Sequence, residues 1–145
     1  MNFSNIFEAN RASLRHVREL CEGRSADELA GLLPNGWTVA VTLAHLAFWD
    51  QKVIYALERT LAEMQVCAFV FDDSLNDILA PLLAAIPPRA ALDLALQTGE
   101  RLDDMLESCP SELLQAFYDA NPRWVNRSLH REGHLADIQS FFRVK

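Results

Sequence analysis

Apolar residues recur every three or four positions along most of the chain, which is the spacing of one face of an α-helix. Long segments of this kind run over 3–23, 39–66, 88 to about 109, and 123–142. The apolar run at 69–71 is the only candidate strand, and it has no partner to pair with. The pattern therefore predicts an all-α protein of the four-helix-bundle type, in which antiparallel helices pack around one core.

Capping and turn residues predict where two of the helices begin. Ser25-Ala26-Asp27-Glu28 matches the S-x-x-E capping box, so a short helix is expected to run to about Leu33. Pro34-Asn35-Gly36 then turns the chain, and Thr38 is a suitable N-cap for the long second helix. Its first half, Val39 to Trp49, is apolar almost all round, which is typical of a helix inside a bundle or at a subunit contact.

The connections between the long helices are expected to contain short extra helices. A helical stretch follows the 69–74 segment and continues to Leu83, with Pro81 expected to bend or divide it. Pro88 suits the first turn of the third long helix, and one more turn is expected from Glu112 to about Tyr118.

Composition and charge narrow the class of protein. The 145 residues are enough for one domain, 1–145, and the net charge of −7 disfavours a nucleic-acid surface. No stretch is apolar enough to cross a membrane and the N-terminus does not resemble a targeting signal, so we expect a cytoplasmic protein with no membrane partner. Cys21, Cys67 and Cys109 form no CxxC pair, and we interpret them as apolar filling.

The densest group of basic residues consists of Arg123, Arg127 and Arg131. We interpret it first as the solvated face of the last helix. The alternative is that Arg127 or Arg131 orients an anionic substrate.

Three histidines form the main candidate for chemistry. His130 and His134 are four residues apart, which places both imidazoles on one helix face. His45 lies in the apolar helix, where a lone polar ring would be costly to bury without a partner. Three neutral imidazoles with an open fourth position describe a catalytic type of site for zinc, nickel or a similar divalent metal. The sequence thus predicts a metal site formed by His45, His130 and His134.

Other residues near these histidines favour simpler interpretations. Residue 131 is Arg, so the H-E-x-x-H motif of zinc proteases is absent. Trp49 is expected to fill the core, and Asp137 and His16 are expected to lie at the surface. Gly133, inside the last helix, indicates either a close backbone approach or a tolerated loss of helix stability.

Two blocks of sequence resemble the DinB-like superfamily, also called the DinB/YfiT-like putative metalloenzymes. The first block is Gly36-Trp37-Thr38-Val39 followed by 43–50, and the second block covers 123–138. The resemblance implies an up-down-down-up four-helix bundle, commonly a homodimer. It also implies a metal held by one histidine of the second long helix and two of the fourth, which correspond here to His45, His130 and His134.

The resemblance also implies a class of reaction. Characterised relatives are thiol-dependent transferases or isomerases, which use low-molecular-weight thiols such as bacillithiol or mycothiol as partners. Our first hypothesis is therefore a metal-dependent enzyme that acts on a small molecule. The second is a non-enzymatic dimeric module that binds a metal or small molecule in a stress response, and the third is a purely structural interaction domain.

Overall fold

The computed structural model describes residues 1–144, so Lys145 lies outside the described part. Within it the chain is helical and contains no strand, although an isolated bridge joins Leu32 to Thr38. The all-α prediction is therefore confirmed. The helices are α1 (Ser4–Cys21), α2 (Ala26–Leu29), α3 (Val39–Glu63), α4 (Ser74–Leu83), α5 (Pro88–Ser108), α6 (Ser111–Ala120), α7 (Pro122–Val125) and α8 (Ser128–Val144).

Local sequence signals explain several of these helix ends. The capping box is present, because the Ser25 hydroxyl accepts from the Glu28 amide and the Glu28 carboxylate accepts from the Ser25 amide. The Thr38 hydroxyl accepts from the Val41 amide and so starts α3 as predicted. The helix ends a few residues earlier than expected, at Glu63, and is followed by the C-cap residue Met64, which adopts the left-handed conformation with φ of 54°.

Two apolar clusters lie at opposite ends of the long helices. The first cluster contains residues of α1, α3, α5 and α8. The second contains residues of α3 and α5 together with α6, α7 and the residue before α1. Neither cluster therefore belongs to a single pair of helices. The first cluster contains Val17, Cys21, Leu29, Leu33, Val39, Ala40, Leu43, Ala44, Ala91, Leu92, Ala95, Leu96, Leu135 and Ile138. The second contains Phe3, Val53, Ile54, Ala56, Leu57, Leu102, Leu106, Cys109, Leu113, Leu114, Phe117, Trp124 and Val125.

A buried polar layer lies between the two clusters along the sequences of α1, α3 and the α7–α8 segment, and Asp103 of α5 belongs to it as well. Its members are Asn10, Ser13, Asp50, Asp103, Arg127 and Arg131. Arg131 is 1% exposed and donates to both carboxylates, at 3.1 Å and 3.2 Å to Asp50 and at 3.0 Å and 3.1 Å to Asp103. Arg127 donates to the other Asp50 oxygen at 2.8 Å. Two guanidinium groups and two carboxylates thus neutralise each other in the interior.

The layer corrects the first interpretation of the basic residues. Arg127 and Arg131 are buried, so the prediction of a solvated face is wrong for both of them, whereas Arg123 is exposed as expected. Burying a guanidinium requires a paired charge. Asp50 and Asp103 provide that charge from helices far away in the sequence.

The last helix is also shorter than predicted, because Asn126 and Arg127 interrupt it. Buried Asn10 of α1 bridges the interruption: its side-chain amide donates to the Val125 carbonyl at 2.9 Å, and its oxygen accepts from the Ser128 amide at 3.0 Å. The side chain therefore satisfies one backbone group at the end of α7 and another at the start of α8. The break in the helix is built into the packing of α1 against α8.

We expect Asn10→Ala to destabilise the protein by about 2 kcal/mol or more, because two backbone groups at the α7–α8 break lose their partner. Urea unfolding measures the change. The control is Asn5→Ala, since Asn5 lies exposed on the same helix and alanine there favours the helix slightly. Equal stabilities of the two variants would contradict the bridging role.

Three smaller predictions have mixed outcomes. Pro81 was expected to bend or divide its helix, and it does not divide it, because Pro81 lies inside one continuous helix, Ser74–Leu83. A Cβ at Gly133 would meet no atom within 4 Å, so this glycine is not needed for a close approach. The three cysteines are free thiols, of which Cys21 and Cys109 are buried and Cys67 is half-buried.

In the described residues no helix combines the length and the hydrophobicity that a membrane span requires.

Candidate metal centre

The three histidines come together from two helices that are distant in sequence. His45 extends from α3, whereas His130 and His134 extend from consecutive turns of α8. One ring nitrogen of each lies within 4.8 Å of the others, and the Nε2 atoms of His45 and His130 are 3.1 Å apart. The ring centroids are 4.7–5.0 Å apart in all three pairs. The convergence that the sequence analysis required is therefore present.

The environment of the rings keeps them neutral. Burial lowers the pKa of His45 to about 4, assisted by the neighbouring His134 and by the charge of Arg127. Burial, followed by the charge of Arg127, lowers the pKa of His130 to about 2. The pKa of His134 is also lowered by burial, and the negative charge of Asp137 opposes that shift. Neutral imidazole is the form that binds metal ions.

The histidines form part of the wall of a pocket with a volume of about 720 Å³. Five aromatic rings contribute to its apolar surface, and two arginines and two asparagines contribute polar groups. Its lining consists of Trp37, His45, Trp49, Val53, Ala68, Phe69, Phe71, Asn76, Ala120, Asn121, Arg123, Trp124, Arg127, His130 and His134. A pocket of this size and character is suited to a small molecule.

Backbone turns and side-chain contacts fix several of the aromatic walls. Gly36 adopts φ of 90°, which favours glycine, and the turn it forms brings Trp37 to within 4.9 Å of the His45 ring, centroid to centroid. The indole N–H of Trp49 donates to the Asn76 side chain of α4 at 2.8 Å. Trp49 is thus buried as predicted and also faces the pocket.

The buried polar layer contacts the histidines through Arg127. One guanidinium nitrogen of Arg127 lies 3.4 Å from Nδ1 of His130, while another nitrogen donates to Asp50. Because a guanidinium only donates, this contact favours the His130 tautomer with an unprotonated Nδ1 and with hydrogen on Nε2. That hydrogen then points at the Nε2 of His45. The contact links the site directly to the interior charges.

The sequence analysis missed most of the pocket wall. Among the aromatic residues it assigned Trp49 to the core, and it gave no role to Phe69, Phe71 or Asn76 beyond their place in a connection. The sequence signal that could have indicated these residues is the presence of two aromatic residues in a segment without regular secondary structure. Such a segment is usually exposed, and large apolar side chains in it are unusual unless they line a site. Phe69 packs against Trp124 with ring centroids 5.2 Å apart.

Other candidate residues lie outside the cluster. His16 of α1 pairs with Glu132 at 2.8 Å, and Asp137 is exposed, so both match their expected surface positions. Arg131 faces the buried layer and does not line the pocket. Of the basic group, Arg123 and Arg127 line it.

We expect the metal-free protein to lose stability as the pH falls below about 6.5. Unfolded histidines take up protons near that pH, whereas the folded rings of His45 and His130 resist protonation down to about 4 and about 2. The unfolded state therefore binds more protons in this range, and the free energy of unfolding decreases as the pH decreases. Chemical unfolding in EDTA at pH 7.5, 6.5 and 5.5 measures the slope. A double variant, His45→Phe with His130→Phe, should show a smaller slope, and an unchanged slope would contradict the assignment.

Comparison with protein-family models, curated proteins and solved structures finds no match to this chain. Among the described residues, the histidine cluster is the group of three or more His, Cys, Asp and Glu side chains that could hold a metal ion.

Proposed function

We propose that this chain is a metal-dependent enzyme of the DinB-like type, which holds one divalent metal ion through His45, His130 and His134. The observation that carries the proposal is the convergence of three neutral imidazoles, one buried and two half-buried, on the wall of a pocket large enough for a small molecule. Zinc and nickel are the metals that this donor set favours. The proposed reaction is a transfer or isomerisation that uses a low-molecular-weight thiol.

The spacing of the donors fits a metal ion of this kind. Two imidazole nitrogens on a tetrahedral zinc are roughly 3.3 Å apart when each Zn–N bond is roughly 2.0–2.1 Å. The Nε2 atoms of His45 and His130 are 3.1 Å apart, so that pair needs almost no movement. The nitrogen of His134 has to move closer by up to about 1.5 Å, since the three donor atoms lie within 4.8 Å of one another and the metal requires roughly 3.3 Å.

The contact between Arg127 and His130 opposes metal binding to some degree. Neutral His130 can use Nε2 as a ligand only when its hydrogen lies on Nδ1, which then faces the Arg127 guanidinium. Metal-binding histidines usually have an acceptor at this position. The 3.4 Å distance is long for a hydrogen bond, so a small rotation of the ring or the guanidinium relieves the conflict.

When bound, the metal would supply a Lewis acid that lowers the pKa of a thiol or water at its open position. Residues of the chain would provide the surroundings of the metal and of the bound molecule. The aromatic walls make much of the pocket surface apolar, and each neutral imidazole has one nitrogen whose lone pair can bind the metal. Arg127 remains paired with Asp50 and adds positive charge beside His130.

The packing of the long helices supports the up-down-down-up bundle as part of this proposal. Helix α1 contacts α5 and α8, and α3 contacts the same two helices, so the four contacts close a ring. The first apolar cluster contains the C-terminal parts of α1 and α8 and the N-terminal parts of α3 and α5. This placement supports a bundle in which the first and last long helices run in one direction and the two between them run in the other.

A non-enzymatic module that binds a metal or small molecule is the second candidate, and one observation favours it. Apart from the three histidines, no residue lining the pocket within 1–144 is a carboxylate, cysteine, lysine or tyrosine. The pocket thus offers few groups for general acid or base catalysis. Both candidates include a homodimer, which light scattering on the purified protein tests.

Metal titration followed by a thiol-transfer assay tests the proposal. The protein is stripped with EDTA, and zinc and nickel are titrated separately by calorimetry, with one equivalent expected to bind. The loaded protein is then assayed for conjugation of bacillithiol, mycothiol, glutathione or cysteine to 1-chloro-2,4-dinitrobenzene. In this reaction the sulfur bonds to the ring carbon, chloride leaves with its bonding pair, and the thiol proton goes to solvent.

The outcomes separate the candidates. Equimolar metal binding together with metal-dependent conjugation supports the enzyme. Equimolar binding without conjugation for any of the four thiols favours the binding module. If neither metal binds and neither raises the melting temperature, the metal proposal is wrong.

A further inference from the structure

Five of the 13 aromatic residues of the chain line this one pocket. The chain contains three tryptophans, and all of them, Trp37, Trp49 and Trp124, line this pocket together with Phe69 and Phe71. Their flat faces bury large apolar areas and stack well on planar groups. The walls therefore favour a ligand with a flat apolar part.

The charged residues that line the pocket are positive, whereas the whole chain has a net charge of −7. The protein carries 20 acidic residues and 13 basic ones, yet no acidic residue lines the pocket in the described part of the chain. Two arginines do line it, at 123 and 127. A local positive field in an apolar cleft attracts anions and repels cations.

The two arginines are not equivalent as partners for a ligand. Arg127 is buried, and Asp50 and the Arg123 carbonyl already accept its hydrogen bonds. The guanidinium of Arg123 is exposed, and no ion pair holds it within residues 1–144. Its backbone is fixed, since the Asn121 side chain accepts from the Arg123 amide at 3.0 Å. Arg123 is therefore a positioned cation whose donors are free for a ligand.

We infer that the pocket binds a small molecule that combines a flat, aromatic or similarly apolar part with one anionic group, and that Arg123 recognises the anion. The tryptophans and phenylalanines hold the apolar part, and the guanidinium pairs with a carboxylate or a group of similar geometry. The pocket volume of about 720 Å³ limits the ligand to a small molecule. This inference deepens the proposed function, on which it rests for taking this pocket as the substrate site.

The test compares two matched probes, 2-naphthoate and 2-naphthamide, which share their ring and differ in charge. Calorimetry measures both with the wild-type protein, Arg123→Gln and Arg15→Gln. Arg15 is the control because it is an exposed arginine of α1, outside this pocket. Each titration is done on EDTA-stripped protein, so that no metal can bind the carboxylate, and is repeated after zinc is added.

In the wild-type protein without metal, the naphthoate is expected to bind about 10-fold more tightly than the naphthamide. Arg123→Gln should remove this preference while leaving naphthamide binding unchanged, and Arg15→Gln should retain it. Protein labelled with 5-fluorotryptophan should show shifted fluorine resonances at all three tryptophans. Equal binding of the probes, no binding of either, or equal effects of the two arginine variants would overturn the inference.

The metal titration distinguishes this failure from a failure of the proposed function. If zinc binds at one equivalent but the stripped protein does not prefer the naphthoate, the ligand class is wrong and the metal site stands. If the Arg123-dependent preference is present but zinc does not bind, the ligand class stands and the metal proposal is wrong.

Discussion

Replacing His45 with alanine is expected to lower the affinity for zinc by more than roughly 100-fold, because loss of a partner behind a ligand already costs 10–100-fold. The variant leaves two donors, both on α8, in place of three. His45 also provides the donor closest to His130, at 3.1 Å between the Nε2 atoms. Its removal therefore takes away the part of the site that needs the least rearrangement. Thiol conjugation, if present, should fall with the metal.

Competition against a chelator of known zinc affinity measures the effect. His16→Ala is the matched control, because His16 lies on α1 and pairs with Glu132 outside the cluster. Since His45 is 4% exposed, His45→Phe serves as a second variant that fills the space, and circular dichroism checks that both fold. Unchanged zinc affinity in both His45 variants would exclude this metal site.

The histidine cluster was largely predictable from sequence, because its signals are local. The four-residue spacing of His130 and His134 sets two rings on one helix face whatever the rest of the fold does. His45 stood out as a polar residue in a run that must be buried. The capping residues at 25 and 38 were predictable for the same reason, since each acts within one helical turn.

The buried charges were not predictable, because their partners are distant in sequence. Arg131 contacts Asp50 and Asp103, which are 81 and 28 residues away, and Arg127 contacts Asp50 at a separation of 77. A local pattern of arginines on a helix resembles a solvated face, and only the contacts of these arginines with Asp50 of α3 and Asp103 of α5 in the folded chain reverse that interpretation. The break before Ser128 depends on Asn10, 118 residues away.

The interior charges and the histidines form one structural unit. Asp50 accepts from both buried arginines, and one of these, Arg127, contacts His130. Asp50 follows His45 by five residues on α3, so one helix positions both the His45 imidazole and the carboxylate that pairs with Arg127. A change in the layer should therefore alter the site as well as stability.

Replacing Arg131 with methionine is expected to destabilise the protein by about 3–5 kcal/mol, because it leaves buried carboxylates with too little positive charge. Asp50 keeps Arg127, but Asp103, which is 1% exposed, loses its direct guanidinium partner. Burial already raises the pKa of Asp103, and Arg131 opposes that shift. The variant should raise this pKa further, so that its stability deficit narrows at acid pH.

Two comparison variants separate the charge effect from a simple loss of packing. Arg18→Met removes an exposed arginine that pairs with Glu22 and Glu100, and it should change stability by no more than about 1 kcal/mol. The double variant Arg131→Met with Asp103→Leu removes both charges of the buried pair, and it should recover much of the loss because apolar groups can replace such a pair. Urea unfolding of all three measures the differences. If the double variant is as unstable as the single one, lost packing explains the effect and the charge argument is wrong.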